Sequence, residues 1–111
     1  SDERYGETSE KIRERVETAR EIQRARFKAT EAADQGIFCN ADMRNADLRM
    51  YCKLDEKCQN LMQAAMQQMH LSARAYHRII KLARTIADLA FSEEITPTHI
   101  AEALQYRPQI L

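Results

Sequence analysis

Between residues 72 and about 91, apolar side chains recur every three or four positions: Tyr76, Ile79, Ile80, Ala83, Ile86, Ala87 and Ala90. That period places them on one side of an α-helix and makes this the clearest helical signal in the chain. Ser72 stands where an N-cap belongs. A second strong signal follows, with Thr96 as cap, Pro97 at the first helical position and Ile95 placed to pack against Ile100. This last helix is expected to end near Tyr106, before Pro108.

Upstream, residues 9 to about 33 predict a long charged helix capped by Thr8 or Ser9, with Glu10 in its first turn. Its apolar seam is thin: Ile12, Val16, Ala19, Gln23 and Phe27. The rest of that helix alternates arginine and glutamate, which suits a solvated surface with ion pairs one turn apart. Residues 34–45 break the period with Gly36, Asn40 and Asn45, and read as an internal connecting loop pinned by Ile37 and Phe38. Asn45 is expected to cap a short helix carrying Leu48, Tyr51 and Cys52 inward. Asp55 then caps a helix to about Met69, presenting Cys58, Leu61, Met62, Ala65 and Met69 on one side. A tight turn at His70 and Leu71 leads back to Ser72.

Composition agrees with this reading. The chain has 111 residues, 44% of them hydrophobic, with only two glycines and two prolines. Such a mixture favours helix and leaves little material for hairpins. The expectation is a single all-α domain over residues 1–111, a small irregular bundle of about five helices. Lysine plus arginine equals aspartate plus glutamate at 17 each, so no overall field gathers nucleic acid or lipid. Any electrostatic role is local. No apolar run reaches the roughly 18 residues of a membrane span, and SDERYGETSE has neither region of a signal peptide. A cytoplasmic protein without membrane contact is expected.

Candidate chemistry is sparse. Three cysteines, Cys39, Cys52 and Cys58, cannot pair evenly, and neither they nor His70, His77 and His99 show zinc-ligand spacing. The methionines suit adaptable core filling. Gly6 and Gly36 stand alone, so no glycine-rich phosphate loop exists, and Glu93 with Glu94 suit solvated loop charges better than a catalytic pair. No self-contained active site is expected, and no metal site.

One residue is out of place. Arg74 falls in the first turn after the Ser72 cap, where the positive end of the helix dipole disfavours a cation by ~0.3 to 1 kcal/mol. An arriving anion would complete such a site. The spacing predicts that Arg74 opens a basic face continuing through Arg78, Lys81 and Thr85, with Arg84 close by. That face reads either as solvated helix surface or as a phosphate-binding one.

Three segments in order carry a family resemblance: SEKIRERVETAREIQRARF, NADMRNADLRMYCKLD and LSARAYHRIIKLARTIADLAFSEEITPTHIAEALQYR. They resemble the C-terminal helical lid of the Mg-chelatase-related AAA+ ATPases of the ComM/YifB type. The last segment, from LSARAYHRI to EALQYR, is the most specific. The resemblance implies that Arg74 takes the position of the sensor-2 arginine, contacting the terminal phosphates of ATP, with Mg, bound on a core domain of the same chain or a neighbouring subunit. Arg78 is a weaker second candidate. It further implies a parent ATPase that forms a ring and processes DNA, by branch migration during natural transformation.

This chain has no Walker A loop, acidic Walker B strand or strand-rich core, so alone it is expected neither to bind ATP tightly nor to hydrolyse it. A monomeric fragment is expected. The alternatives are a DNA- or protein-binding module using the basic face from Arg74 to Arg84, and a ring-closing role for the long first helix.

Overall fold

Local sequence chemistry sets the ends of each helix. The computed structural model describes residues 8–106, and among them it holds five α-helices, two short 3-10 turns and no strand. Helix α1 (Ser9–Lys28) starts where the Thr8 hydroxyl accepts the Lys11 N–H at 3.2 Å. It stops at Lys28, five residues earlier than its polar pattern predicts, because Thr30 adopts an extended backbone and caps a separate turn. Its hydroxyl accepts the Ala32 N–H and pairs with the Tyr51 hydroxyl at 2.6 Å, an alternative to continuing the helix. That turn, Glu31–Gln35, closes on Gly36 in the left-handed region at φ 84°.

A second turn, Asn40–Asp42, is held by the Asp42 carboxylate, which accepts the N–H groups of Phe38 and Cys39. Helix α2 (Asn45–Tyr51) follows; its cap position is Arg44, not Asn45, and the Asp47 carboxylate accepts the Arg44 N–H at 2.8 Å. Helix α3 (Glu56–Met69) is capped by Asp55 as predicted, the carboxylate accepting the Cys58 N–H at 2.8 Å. His70 ends it in the left-handed region, and Ser72 starts α4 (Ala73–Leu89). Helix α5 (Pro97–Gln105) begins with Pro97, and the His99 ring nitrogen accepts the Thr96 N–H at 2.9 Å. The first seven residues, and the Pro108 boundary, lie outside the described residues.

Helix α4 is the spine of the bundle. It packs against α5, α1, α2 and the Asn40–Asp42 turn, while α3 closes against α5. Phe27, Ile37, Met43, Met62, Ile79 and Ile100 are fully enclosed between these elements. Each such side chain contributes about 1.5 to 3 kcal/mol by leaving water. Ile95 and Ile100 are both buried, as the staple at α5 requires. Phe38 does not anchor the loop; it is 59% exposed, and Ile37 with Met43 fills that role. The carboxylate of Asp42 fixes the backbone so that Ile37 turns in and Phe38 out. Ile12 is also exposed, since α1 is only half-covered at Val16 and first becomes buried at Ala19.

Three carboxylates hold turn or helix starts: Asp42, Asp47 and Asp55. Backbone N–H donors stabilise the ionised form of each and lower its pKa below 3.8. A depressed folded-state pKa gives stability that is present above the unfolded value and lost as pH falls through the folded one. The urea midpoint should therefore hold steady near neutrality and drop as pH falls below about 4. Replacing Asp55 with asparagine should flatten part of that acid limb, measured by denaturant titrations at stepped pH.

Candidate functional site

Ser72 builds the site. Its hydroxyl accepts the Ala75 N–H at 3.1 Å, which leaves the amides of Ala73 and Arg74 pointing out of the first turn with no intrahelical acceptor. No acidic residue occupies that turn. The Arg74 side chain is exposed and has no hydrogen bond or ion pair with any described residue. Ser72, Arg74, Ala75 and Arg78 line a shallow depression of about 190 Å³ at the helix end. The side chains of Arg74 and Arg78 thus border one small concavity at the start of the helix. The chemistry this arrangement supports is the binding of an oxyanion. Replacing Ser72 with alanine should cost the isolated chain about 1 kcal/mol through the lost cap, read from its urea midpoint.

Beyond Arg78 the expected basic face does not continue. Lys81 turns to the loop, where its ammonium donates to the Met43 carbonyl at 2.8 Å and to that of Ala41 at 3.5 Å. Arg84 is only 4% exposed and is part of the interior, not of the surface. It lies one turn before Asp88, on the edge of the apolar stripe, so both side chains turn inward together.

Asp88 is the centre of a buried ionic cluster that the sequence reading missed. Arg26 of α1 reaches it with both terminal nitrogens, at 2.5 Å to Oδ1 and 3.0 Å to Oδ2. Arg84 donates from Nε to Oδ1 at 3.2 Å, and its two terminal nitrogens cap the carbonyls of Glu93 and Ser92. Phe91, in the left-handed region at φ 56°, makes the turn that brings those carbonyls back toward α4. Asn40 completes the shell: its Nδ2 donates to Asp88 at 2.8 Å, and its Oδ1 accepts from Arg26. Its own backbone N–H donates to Gln23. Among the described residues no buried side-chain polar atom lacks a partner. One carboxylate therefore ties α1, the Asn40–Asp42 turn and both ends of the turn after α4 into one body. Charges of opposite sign at positions 84 and 88, on the stripe's margin, were the available clue.

The remaining reactive groups sit apart. Burial pushes the thiols of Cys52 and Cys58 up to about 11, which keeps both protonated at neutral pH, while Cys39 is exposed. Among the described residues no cluster of histidine, cysteine or carboxylate could hold a metal ion, and no helix is long and apolar enough to cross a membrane.

Residues 6–107 match the family model described as magnesium chelatase, subunit ChlI C-terminal. The chain is 40% identical over 105 residues to the competence protein ComM of Haemophilus influenzae, covering 95% of this chain and 19% of that protein. It is 36% identical over 102 residues to the YifB protein of Escherichia coli, covering 92% of this chain and 18% of that protein. The YifB protein of Salmonella typhimurium is 32% identical over a segment of the same length. The chain thus spans about a fifth of the length of these relatives. With its five-helix architecture and a match running through nearly every described residue, the chain belongs to the magnesium chelatase ChlI C-terminal family.

Proposed function

We propose that this domain is the sensing lid of a Mg-chelatase-type AAA+ ATPase, and that Arg74 meets the terminal phosphates of ATP bound on a core domain. The observation that carries the reading is an exposed, unpaired guanidinium in a helix first turn that holds no acid. A cation there is disfavoured by its own helix and becomes favourable when a polyanion faces it. Arg78 lines the same depression and gives a second, weaker contact.

The donor set fits phosphate oxygens and does not fit magnesium, since no carboxylate lines the depression. The metal and the nucleophile would be held by the core. ATP supplies the phosphoryl group; this chain's own part is to place positive charge where negative charge develops on it. The Asp88 cluster makes α1 and α4 one rigid unit, so a shift of Arg74 on hydrolysis is transmitted to the start of the domain. In a ring of such subunits, working in the cytoplasm, that movement would drive the parent's action on DNA, in line with the competence role named for the Haemophilus relative.

A direct DNA-binding role for the face from Arg74 to Arg84 is weaker, because Lys81 and Arg84 are committed to carbonyls and to Asp88. Phosphate contacts from Arg74 and Arg78 alone would give a salt slope of only about −0.9 each. The deciding experiment is ATP turnover of the full-length protein carrying Arg74→Ala. Undiminished turnover removes the proposal.

A further inference from the structure

Helices α2, α3 and α4 leave an open groove of about 1090 Å³ on a side of the molecule that the phosphate site does not use. Its floor is apolar, built from Leu48, Leu54, Met66, Tyr76 and Ile80. Arg49 and Lys53 stand on its rim with His77, and Gln59 and Gln63 supply amides along α3. No carboxylate lines it.

That absence matters in a chain with equal numbers of acidic and basic residues. Of the carboxylates nearest in sequence, Asp47 accepts the Arg44 N–H and Asp55 the Cys58 N–H, while Glu56 is exposed and, like them, is not among the lining residues. The depression around Arg74, lined by Ser72, Arg74, Ala75 and Arg78, likewise has no carboxylate in its lining. The groove therefore joins an apolar floor to a rim carrying Arg49 and Lys53, with no acidic residue in its lining. Such a surface fits an amphipathic segment whose apolar residues enter the groove and whose acidic residues meet Arg49 and Lys53.

The chain's own exposed helix is the wrong occupant. The seam of α1 around Ile12 is flanked by Lys11, Arg13 and Arg15 and equally by Glu10, Glu14 and Glu17, so a second copy would bring no acidic excess to meet Arg49 and Lys53. A nucleic acid strand would meet the two rim cations and leave the five apolar floor residues uncovered. The matched region is only 18–19% of the length of the relatives, and the remainder supplies ample chain for an intramolecular partner.

We infer that the groove between α2, α3 and α4 docks an acidic amphipathic segment from the part of the same protein that lies outside this domain. The inference rests on charge and on the length of the relatives, and stands apart from the phosphate role of Arg74. Docking within one polypeptide needs little intrinsic affinity, because the linkage supplies an effective concentration of about millimolar.

The test compares maleimide labelling of Gln63→Cys in the 111-residue chain and in the full-length protein, each with Cys39→Ser to remove the exposed native thiol. Gln67→Cys, also exposed on α3 but outside the groove, is the control. Labelling at position 63 should slow by about tenfold in the full-length protein, and labelling at position 67 should not change. Salt near 1 M, where the screening length is about 3 Å, should restore the rate, and so should Arg49→Glu combined with Lys53→Glu. All these side chains are exposed, so the variants keep the fold. A photo-cross-linker on the Gln63→Cys thiol should capture a peptide in which acids flank apolar residues. Equal labelling in both proteins, protection that survives charge reversal, or capture of a peptide with no acidic excess each overturns the proposal.

Discussion

Asp88→Ala is expected to destabilise the isolated chain by about 3 to 5 kcal/mol, the usual cost of stranding a buried charge by removing its partner. A domain of this size has only about 5 to 15 kcal/mol in total. The two arginines will not suffer equally. The Arg26 side chain is 18% exposed and can swing to water, whereas that of Arg84 is 5% exposed and is held by the carbonyls of Ser92 and Glu93. Most of the loss therefore comes from Arg84, left charged in the interior. Arg26→Ala should cost less, about 1 to 2 kcal/mol, because Asp88 keeps Arg84 and Asn40. In equilibrium urea unfolding, with slopes of about 1 to 3 kcal/mol per molar, Asp88→Ala should lower the midpoint by about 2 M. A midpoint within a few tenths of molar of the unsubstituted chain would mean that the cluster is not welded as described.

How far the molecule could be read from its residues depends on the range of the interaction. Caps act over three residues, so Thr8, Asp55 and Ser72 announced themselves, as did Pro97 at the start of α5. The stripe on α4 was legible for the same reason, since periodicity is a local property. The ionic cluster was not, because its members come from positions 26, 40, 84 and 88, and the contact of Arg26 with Asp88 spans 62 residues. A rule that assigns charge to the surface moves Arg84 outward, and only the pairing with Asp88 four residues on argues against it. The loop failed differently: Ile37 and Phe38 are adjacent apolar residues in a segment with no period, and the choice between them is made by Asp42. At Arg74 the exposed position and the affinity for an anion followed from cap and stripe, while the identity of that anion as ATP phosphate came from family resemblance.

The same cluster links stability to the proposed function. Arg26 and Asn40 hold the end of α1 and the following turn against the second half of α4, and Arg74 projects from the first turn of that helix. From Arg74 to Asp88 is about 21 Å at 1.5 Å per residue, a rigid lever of nearly four turns. A small rotation at one end is therefore carried whole to the other.

Arg74 offers the sharper test, because its two expected effects have opposite signs. On the proposed phosphate role, Arg74→Ala in the full-length protein should lower ATP turnover on the order of a hundredfold or more, the range for removing one preorganised positive donor from a phosphoryl-transfer site. Arg74→Lys should recover part of this, since an ammonium keeps the charge and loses the two-pronged geometry. Arg78→Ala should cost less than either. In the isolated chain Arg74→Ala should change stability by no more than about 0.5 kcal/mol, as expected for an exposed side chain without a partner. Arg74→Glu goes further: it removes a cation from the positive helix end and puts an anion there, which should stabilise the fragment by about 0.3 to 1 kcal/mol. The same substitution should abolish turnover, because it sets a carboxylate against the phosphates. A residue that served only the fold would lose stability and activity together, so a more stable fragment paired with a dead enzyme would separate a phosphate sensor from a structural arginine. Turnover that tracks stability across the three substitutions at position 74 would end the sensor reading.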